Sequence, residues 1–303
     1  MKVEKINTYT GHDGSVYIVI PAFENGKFLS GSSDKIVSQW SIDGLTPPIA
    51  IAQASAIIYA LCIIPDQSLL LIGTSVGSIH VIDLAQKKEI RLLQIHSHAI
   101  FHLNYSARHK LIYCCGGNGS LLALNAADFS VAHQLQLCNE KARQSAMHPS
   151  KDELAVACGD GTVRILNARS LEEQGRIPAH SLSANCVEYH PDEKYLVSGG
   201  RDAHLNFWDA NNYGVLKKIP AHNYAIYGIT FSPDGKLFAT GSRDKTIKIW
   251  NADSFEMLAR IDKEKSDGHM NSVNSVCWMK NPDCLVSAGD DRSIRLWKVT
   301  QDE

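Results

Sequence analysis

Three residues in and before the stretch TGSRDKTIKIW (residues 240–250) have side chains that could do chemistry: His222, Thr240 and Asp244. In a hydrolase triad an imidazole takes the proton of the attacking hydroxyl, and a carboxylate orients the imidazole. The same groups recur at the same spacing, with Ser for Thr, as His12, Ser30 and Asp34, as His180, Ser198 and Asp202, and as His269, Ser287 and Asp291. A nucleophile is needed once, whereas a satisfied buried polar network can be needed in every repeat. We therefore predict a structural role for these groups and no catalytic residue.

The four sets belong to an internal repeat. Bulky apolar residues stand at positions 40, 82, 124, 166, 208 and 250, each 42 residues after the one before, and the next follows 47 residues later, at position 297. The tryptophans among them are Trp40, Trp208, Trp250 and Trp297. The five extra residues of the last unit lie within residues 261–269. Such a fixed period indicates seven copies of one structural unit.

Each unit contains four short runs rich in Val, Ile, Thr and Tyr, separated by turn sequences such as Ser-Pro-Asp-Gly at residues 232–235. Runs of this kind are typical of strands. Seven units of four strands predict an all-β, seven-bladed β-propeller with four antiparallel strands in each blade. The last unit ends after its third strand, so we expect the N-terminal segment, residues 2–8 (KVEKINT), to supply the outer strand and close the ring. Residues 1–303 are interpreted as a single domain.

The repeat resembles that of the WD-repeat (tryptophan–aspartate repeat) propellers over essentially the whole chain. The resemblance rests on Gly-His and Ala-His pairs and on the strand endings VSQW, LNFWD, IKIW and IRLW, although only Trp208-Asp209 spells the dipeptide. It implies a chain of buried hydrogen bonds across a blade, which runs from the Asp through the His and the Ser or Thr to the Trp indole. Complete sets are expected in four blades: His12, Ser30, Asp34 and Trp40; His180, Ser198, Asp202 and Trp208; His222, Thr240, Asp244 and Trp250; His269, Ser287, Asp291 and Trp297. Blade two lacks all four residues, blade three has only His96 and Asn118, and blade four has only Asp160.

The resemblance also implies a binding surface at the narrow end of the central channel. The third and fifth residues after the repeated His, and the residue before the repeated Asp, line that end in this family. These positions contain an aromatic and apolar set in blades one to three, a cationic set in blades four to six and one further tyrosine: Tyr17, Ile57, Tyr59 and Phe101; Lys141, Arg143, Arg201 and Arg243; Tyr227. Tyr and Arg dominate interface hot spots. We predict that these nine residues bind a partner.

Composition limits the other possibilities. Thirty basic and 32 acidic residues give a formal net charge of -2, which argues against a general nucleic-acid binder. The sequence contains no apolar run long enough to span a membrane, and MKVEKINTYTGHDG does not resemble a signal peptide. The eight cysteines form no CxxC motif and lie mainly in apolar, strand-like sequence, so we expect buried, reduced thiols. These features predict a cytoplasmic protein.

The sequence HSHAIFH (residues 96–102) would place three histidines on one face of a strand. His96 already belongs to the repeated set, and no group of acidic or cysteine residues accompanies His98 and His102. We therefore expect no metal and no cofactor.

Together these features predict a non-catalytic scaffold that binds partner peptides or domains on the top face of the propeller. The expected partners are one or more proteins or peptides, with no membrane and no nucleic acid, and the propeller would be a monomer or a subunit of a larger complex. Two alternatives stay open. A propeller hydrolase such as a lactonase needs convergent carboxylates or a metal at the channel mouth, where the positions above contain only Asp290. A nucleic-acid or chromatin recognition module would instead use the cationic set.

Overall fold

The computed structural model describes residues 1–280 and 283–300, and these residues form seven four-stranded sheets. Every strand pair is antiparallel, and six of the sheets contain four strands that are consecutive in the chain. Each sheet is one blade of a propeller. The predicted all-β, seven-bladed architecture is confirmed.

The strands of the first four blades follow the repeat closely. The N-terminal strand is β1 (Lys2–Tyr9). Blade one contains β2 (Val16–Pro21), β3 (Lys27–Ser32), β4 (Ile36–Ser41) and β5 (Ile49–Gln53). Blade two contains β6 (Ile58–Ile64), β7 (Leu69–Thr74), β8 (Ser78–Asp83) and β9 (Lys88–Gln94). Blade three contains β10 (Ile100–Ser106), β11 (Leu111–Gly116), β12 (Ser120–Asn125) and β13 (Val131–Gln136). Blade four contains β14 (Ala142–Met147), β15 (Glu153–Cys158), β16 (Thr162–Asn167) and β17 (Glu173–Pro178).

The last three blades continue the pattern. Blade five contains β18 (Ala184–Tyr189), β19 (Tyr195–Gly200), β20 (His204–Asp209) and β21 (Val215–Pro220). Blade six contains β22 (Ile226–Phe231), β23 (Leu237–Ser242), β24 (Ile247–Asn251) and β25 (Met257–Ile261). Blade seven contains β26 (Val273–Met279), β27 (Cys284–Gly289), β28 (Ile294–Thr300) and β1. A 3-10 turn spans Pro65–Gln67, and α1 (Lys263–Ser266) lies within the extra residues of the last repeat. In the part of the chain that the structure describes, no helix could cross a membrane.

Strand β1 closes the ring. It pairs antiparallel with β28, so that Lys2 lies opposite Thr300 and Tyr9 lies opposite Ile294. The predicted outer strand at residues 2–8 is thus confirmed. The Tyr9 ring packs edge-on against Phe28 and Trp40 of blade one, with centroids 5.3 and 5.6 Å apart. One strand therefore joins blade seven through its backbone and blade one through its side chain.

Face-to-face stacking of the blades explains where the core lies. The second strand of a blade is covered on both faces, and every residue of β11 is buried. The outer strand β9 is exposed along nearly its whole length. Among the described residues, seven apolar clusters fill the spaces between neighbouring blades, and one of them joins Phe28 and Trp40 of blade one to Val286 and Leu296 of blade seven. Each blade is thus held mainly by its two neighbours.

Antiparallel connectivity places two kinds of loop at the same end of the propeller. These are the loops from the outer strand of one blade to the inner strand of the next, and the turns between the second and third strands. The repeated His lies in the first kind of loop and the repeated Asp in the second. We call this end the top face and the opposite end the bottom face.

Candidate binding surface

Blades one, five, six and seven contain four linked side chains, which we call the quartet. In blade six His222 Nδ1 lies 2.9 Å from Asp244 Oδ2, and His222 Nε2 lies 2.8 Å from Thr240 Oγ1. The indole N–H of Trp250 donates to the same hydroxyl oxygen over 2.9 Å. The corresponding contacts measure 2.7 Å throughout in blade one, 2.9–3.1 Å in blade five and 2.9 Å in blade seven. The structure thus joins all sixteen residues named for this network into four chains of hydrogen bonds.

The direction of these hydrogen bonds resembles that of a hydrolase triad. The hydroxyl accepts from the indole, so its own proton points to His Nε2, and His Nδ1–H donates to the carboxylate. However, the side chains that would have to attack a substrate are closed off, since Ser30, Ser198, Thr240 and Ser287 are each 0% exposed. A nucleophile that no substrate can reach cannot act on one. The geometry therefore supports a structural role.

Charge in the quartet resides on the carboxylate. Burial opposes ionisation of Asp202, but hydrogen bonds from His180 and from the backbone N–H groups of Ser181 and His204 outweigh it and lower the pKa of Asp202 to about 2. Burial lowers the pKa of His222, which keeps its imidazole neutral despite the opposing effect of Asp244. A neutral imidazole can donate from Nδ1 and accept at Nε2 at the same time, which is what the chain of hydrogen bonds requires.

The quartet carboxylate also stabilises a strained turn. The residue after the repeated Asp has a positive φ in every blade; in the four blades with a quartet it is Lys35, Ala203, Lys245 or Arg292. A left-handed conformation costs a non-glycine residue about 1–2 kcal/mol. The Asp offsets this cost by accepting the backbone N–H two residues on, as Asp34 does from Ile36 over 2.9 Å. The three blades without a full quartet have glycine there instead, as Gly77, Gly119 and Gly161.

Blade two has a polar network that its sequence register did not reveal. At the four positions of blade two that correspond to the quartet, none of the quartet residue types occurs. His80 lies nearby, however, and is 4% exposed. Its Nδ1 is 2.7 Å from Glu89 Oε2, and its Nε2 is 3.2 Å from Ser55 Oγ. Blade two therefore has apolar residues at the quartet positions, namely Ala54, Ile72, Val76 and Ile82, and a separate polar network at other positions.

We expect Asp244→Ala to lower the free energy of unfolding by about 1–3 kcal/mol at pH 7, because His222 and the turn lose their acceptor. Burial opposes ionisation of Asp244, but hydrogen bonds from His222, Thr246 and the Asn223 backbone hold its pKa well below the usual range. A lowered carboxylate pKa contributes stability above the unfolded value of about 3.9 and loses it as the pH falls further. Denaturant unfolding should thus show a constant difference above about pH 4 and a shrinking one below it. The exposed Asp192→Ala is the control, and an equal effect there would contradict this role.

The predicted aromatic residues form a row on the top face. The rings of Tyr17 and Tyr59 lie 5.0 Å apart, and those of Tyr59 and Phe101 lie 5.5 Å apart. All three are half-buried and come from the inner strands of blades one to three. We call Tyr17, Tyr59 and Phe101 the aromatic row. Ile57 is half-exposed in the loop before β6 and lies outside the two cavities described below.

The cationic set continues this row. The Arg143 guanidinium lies over the Phe101 ring at 5.0 Å, and the Lys141 ammonium lies over the same ring at 5.4 Å. Burial lowers the pKa of Arg143. Lys141, Arg201 and Arg243 are exposed, and among the described residues none of the four cations has a carboxylate within salt-bridge distance. We call Lys141, Arg143, Arg201 and Arg243 the cationic arc.

Two cavities gather eight of the nine predicted residues. A cavity of about 430 Å³ at the channel mouth is lined by the aromatic row together with Arg143 and Tyr227. A second cavity of about 710 Å³ is lined by the whole cationic arc and Tyr227, and also by the acidic Glu140 and Asp160. Arg143 and Tyr227 line both cavities. The aromatic and cationic residues therefore form one continuous surface.

Three exposed apolar residues of the top-face loops did not stand out in the sequence. Leu182, Tyr224 and Met270 are 50%, 61% and 60% exposed, and each follows a repeated His by one or two positions. Leu182 also lines the second cavity. The available signal was a large apolar residue inside an otherwise polar loop. It would have extended the apolar part of the predicted surface to blades five, six and seven.

The histidines of residues 96–102 do not form one strand face. Strand β10 begins at Ile100, so His96 and His98 precede it and only His102 lies within it. His102 Nδ1 is 3.3 Å from Ser145 Oγ, and burial lowers the pKa of His102 to about 4. The group of metal-ligand type found in the described residues lies elsewhere, at Cys138, Cys158 and Asp160.

Comparison with known proteins agrees with this geometry. The family described as "WD domain, G-beta repeat" matches residues 3–41, 171–209, 214–251 and 263–298, which together make up half of the chain. No curated protein matches the sequence. The crystal structure of the WD40 β-propeller domain of Doa1 has the same fold, with a TM-score of 0.87 and 19% identity over 99% of this chain and 98% of that one. The family match, the seven blades and the four quartets together show that the chain belongs to the WD40 repeat family of β-propellers.

Proposed function

We propose that this protein is a non-catalytic scaffold and that it binds a partner peptide or domain on the top face. One observation carries the proposal: the aromatic row continues directly into the cationic arc through the contact of Arg143 with Phe101. Aromatic anchors next to arginines are the side chains on which interface energy concentrates. The family is generally one of protein-binding, non-catalytic propellers.

The two parts of the surface define the partner. The aromatic row presents apolar ring surface at a concave channel mouth, which suits an inserted apolar side chain of the partner. The cationic arc contributes positive charge that has no carboxylate neighbour within salt-bridge distance among the described residues. We therefore expect the partner to place an apolar residue over Tyr59 and Phe101 and acidic groups toward Arg143, Arg201 and Arg243.

The channel mouth gives less support to a hydrolase. Of the described residues that line its cavity, Asp290 is the one carboxylate, and it accepts a hydrogen bond from Asn274 Nδ2 over 2.8 Å. Glycoside hydrolysis ordinarily uses two opposed carboxylates. Nucleic-acid recognition has only the cationic arc in its favour, against a net charge of -2. It predicts an affinity that falls steeply with salt for any nucleic acid.

The proposal is tested by capturing proteins from a native lysate. The wild-type protein is used first, and the top-face variant Tyr59→Ala with Phe101→Ala is used second. A protein retained by the wild type, but not by the variant, is purified and its binding measured directly. Retention of the same proteins by both would point to the side or the bottom face and would contradict the proposal. Retention of nucleic acid alone would favour the recognition-module alternative.

We expect Arg201→Glu with Arg243→Glu to slow association with that partner by about ten-fold or more at low salt and to weaken the dependence of the rate on salt. Exposed charges mainly change the rate at which the two molecules associate, and dissolved salt screens this effect. Stopped-flow association rates over a range of salt concentrations measure this. The matched control is Lys87→Glu with Lys88→Glu, which makes the same change of charge at two exposed residues on the bottom face, where the turn before β9 meets that strand. An equal slowing by the control would mean that net charge, rather than this surface, steers the partner.

A further inference from the structure

Blade four fills the space of the quartet imidazole with two thiols. In blade five the residue two before Asp202 is Gly200, where an added Cβ would lie 2.4 Å from His180 Nδ1. In blade five the imidazole therefore occupies the space that faces this position, whereas blades one and six have Ser32 and Ser242 there beside the ring. In blade four the corresponding residues are Cys158 in place of the glycine and Cys138 in place of the histidine. Removing the ring and adding a side chain opposite it brings two sulfur atoms toward the same space.

The sulfur atoms are close and unequally exposed. The Sγ atoms of Cys138 and Cys158 and a carboxylate oxygen of Asp160 all lie within 4.8 Å of one another. Both cysteines are free thiols. Cys158 is 0% exposed, whereas Cys138 is only half-buried and lies in the top-face loop between β13 and β14. A reagent from solvent can thus reach Cys138, and Cys158 lies directly beside it.

The surroundings favour a thiolate on the accessible sulfur. The Cys158 thiol interacts with Cys138 and, together with the backbone N–H groups of Glu140 and Asp160, lowers the pKa of Cys138 to about 6 against the opposing effect of burial. The same contact and burial raise the pKa of Cys158. These effects favour the thiolate form of Cys138 over that of Cys158. The thiolate is the reactive form of cysteine.

Asp160 is already committed to protein partners, which disfavours a metal. Its Oδ1 accepts from Thr162 N at 3.0 Å and from Thr162 Oγ1 at 2.6 Å, and its Oδ2 accepts from Arg164 Nη2 at 2.7 Å. Arg164 is 3% exposed, so its charge lies inside the blade next to this carboxylate. A divalent cation would have to displace or tolerate that guanidinium. Redox chemistry of the two thiols needs no such rearrangement.

We propose that Cys138 and Cys158 are a redox pair that forms a reversible disulfide when the protein meets a hydroperoxide. The Cys138 thiolate attacks one oxygen of hydrogen peroxide, the O–O bond breaks, and the hydroxide that leaves takes up a proton to become water. The Cys158 thiol then loses its proton and attacks the sulfur of the Cys138 sulfenic acid, which expels a second water. Two thiols are oxidised to one disulfide, and one peroxide is reduced to two waters. A thiol reductant reverses the reaction.

The disulfide would attach the loop after β13 to the end of β15. This loop contains Lys141, three residues after Cys138, so oxidation would fix one end of the cationic arc to its blade. The chemistry of the pair does not depend on the proposed partner. It can therefore be tested on the protein alone.

The chain offers a direct assay. Cleavage before aspartate releases residues 128–151, whose single cysteine is Cys138, and residues 152–159, whose single cysteine is Cys158. The reduced, full-length protein is treated with equimolar hydrogen peroxide at pH 7, its remaining thiols are blocked with N-ethylmaleimide, and the digest is analysed by mass spectrometry. We expect the two peptides joined, at the sum of their reduced masses less two hydrogens. Cys158→Ser should leave a sulfenic acid on residues 128–151 that dimedone traps, and Cys138→Ser should give neither product.

Cys277 provides the matched control, because it is the other half-buried cysteine and burial raises its pKa to about 12. Cys277→Ser should form the disulfide like the wild type, and Cys138 should be alkylated at pH 7 at least about ten-fold faster than Cys277. Equal alkylation rates, or no joined peptides from the wild type at excess peroxide, would overturn the proposal. So would protection of Cys138 from alkylation by Zn²⁺ without any joined peptides, which would identify the three groups as a metal site.

Discussion

Deletion of residues 1–9 should lower the melting temperature by about 10 °C or more, since it removes the strand that closes the ring. The deletion leaves β28 as an unpaired edge and removes the Tyr9 ring from its contacts with Phe28 and Trp40. Loss of a buried aromatic side chain alone costs about 3–5 kcal/mol. A domain of this size loses about 2–4 °C for each kcal/mol. Calorimetry of the purified protein measures the change.

Two variants separate the causes of that loss. Tyr9→Ala keeps the backbone pairing and should reproduce only the part of the effect that comes from packing and from the hydroxyl bonds to the carbonyls of Ser41 and Ile42. Ile6 lies at a bulge in the same strand, and its side chain is 52% exposed. The variant Ile6→Ser should therefore melt at the same temperature as the wild type. An unchanged melting temperature after deletion would show that blade seven is stable with three strands. Ring closure by β1 would then contribute nothing to stability.

Tyr59→Ala with Phe101→Ala should weaken binding of the captured partner by about 100-fold or more, mainly through faster dissociation. Truncation of a central aromatic anchor typically costs at least about 2 kcal/mol, and contacts that form after encounter determine the lifetime of a complex. The double variant also removes the ring on which Arg143 and Lys141 lie. Surface plasmon resonance gives both rate constants. Circular dichroism and the melting temperature establish that the propeller remains folded.

Phe23→Ala is the matched control for this experiment. Phe23 is an exposed aromatic residue, 61% accessible, in the loop between β2 and β3 on the bottom face. It should bind the partner like the wild type. Binding lost equally in both variants would argue for a contact that spans both faces. Binding retained by the double variant would place the partner away from the aromatic row and contradict the proposed site.

The sequence by itself determined the repeat and therefore the fold. The fixed 42-residue spacing, the turn residues and the four quartets arise from contacts within one unit, which recur in the chain each time that unit recurs. The quartets were readable for the same reason, since His222, Thr240, Asp244 and Trp250 lie in one blade at constant separations. Closure by β1 followed from the count of strands, because the last unit contains only three.

Tertiary structure alone decided the contacts that break the register or join different repeats. His80 bonds Ser55 and Glu89 off the repeated positions, and the Arg143 guanidinium reaches Phe101 from the next blade. Cys138 and Cys158 are twenty residues apart in the sequence. Their sulfur atoms lie close together in the space that the quartet imidazole fills in blade five. Such contacts depend on side-chain direction and on the packing of one blade against another. A pattern of residue types along one chain contains neither, so these features appear only once the blades are in place.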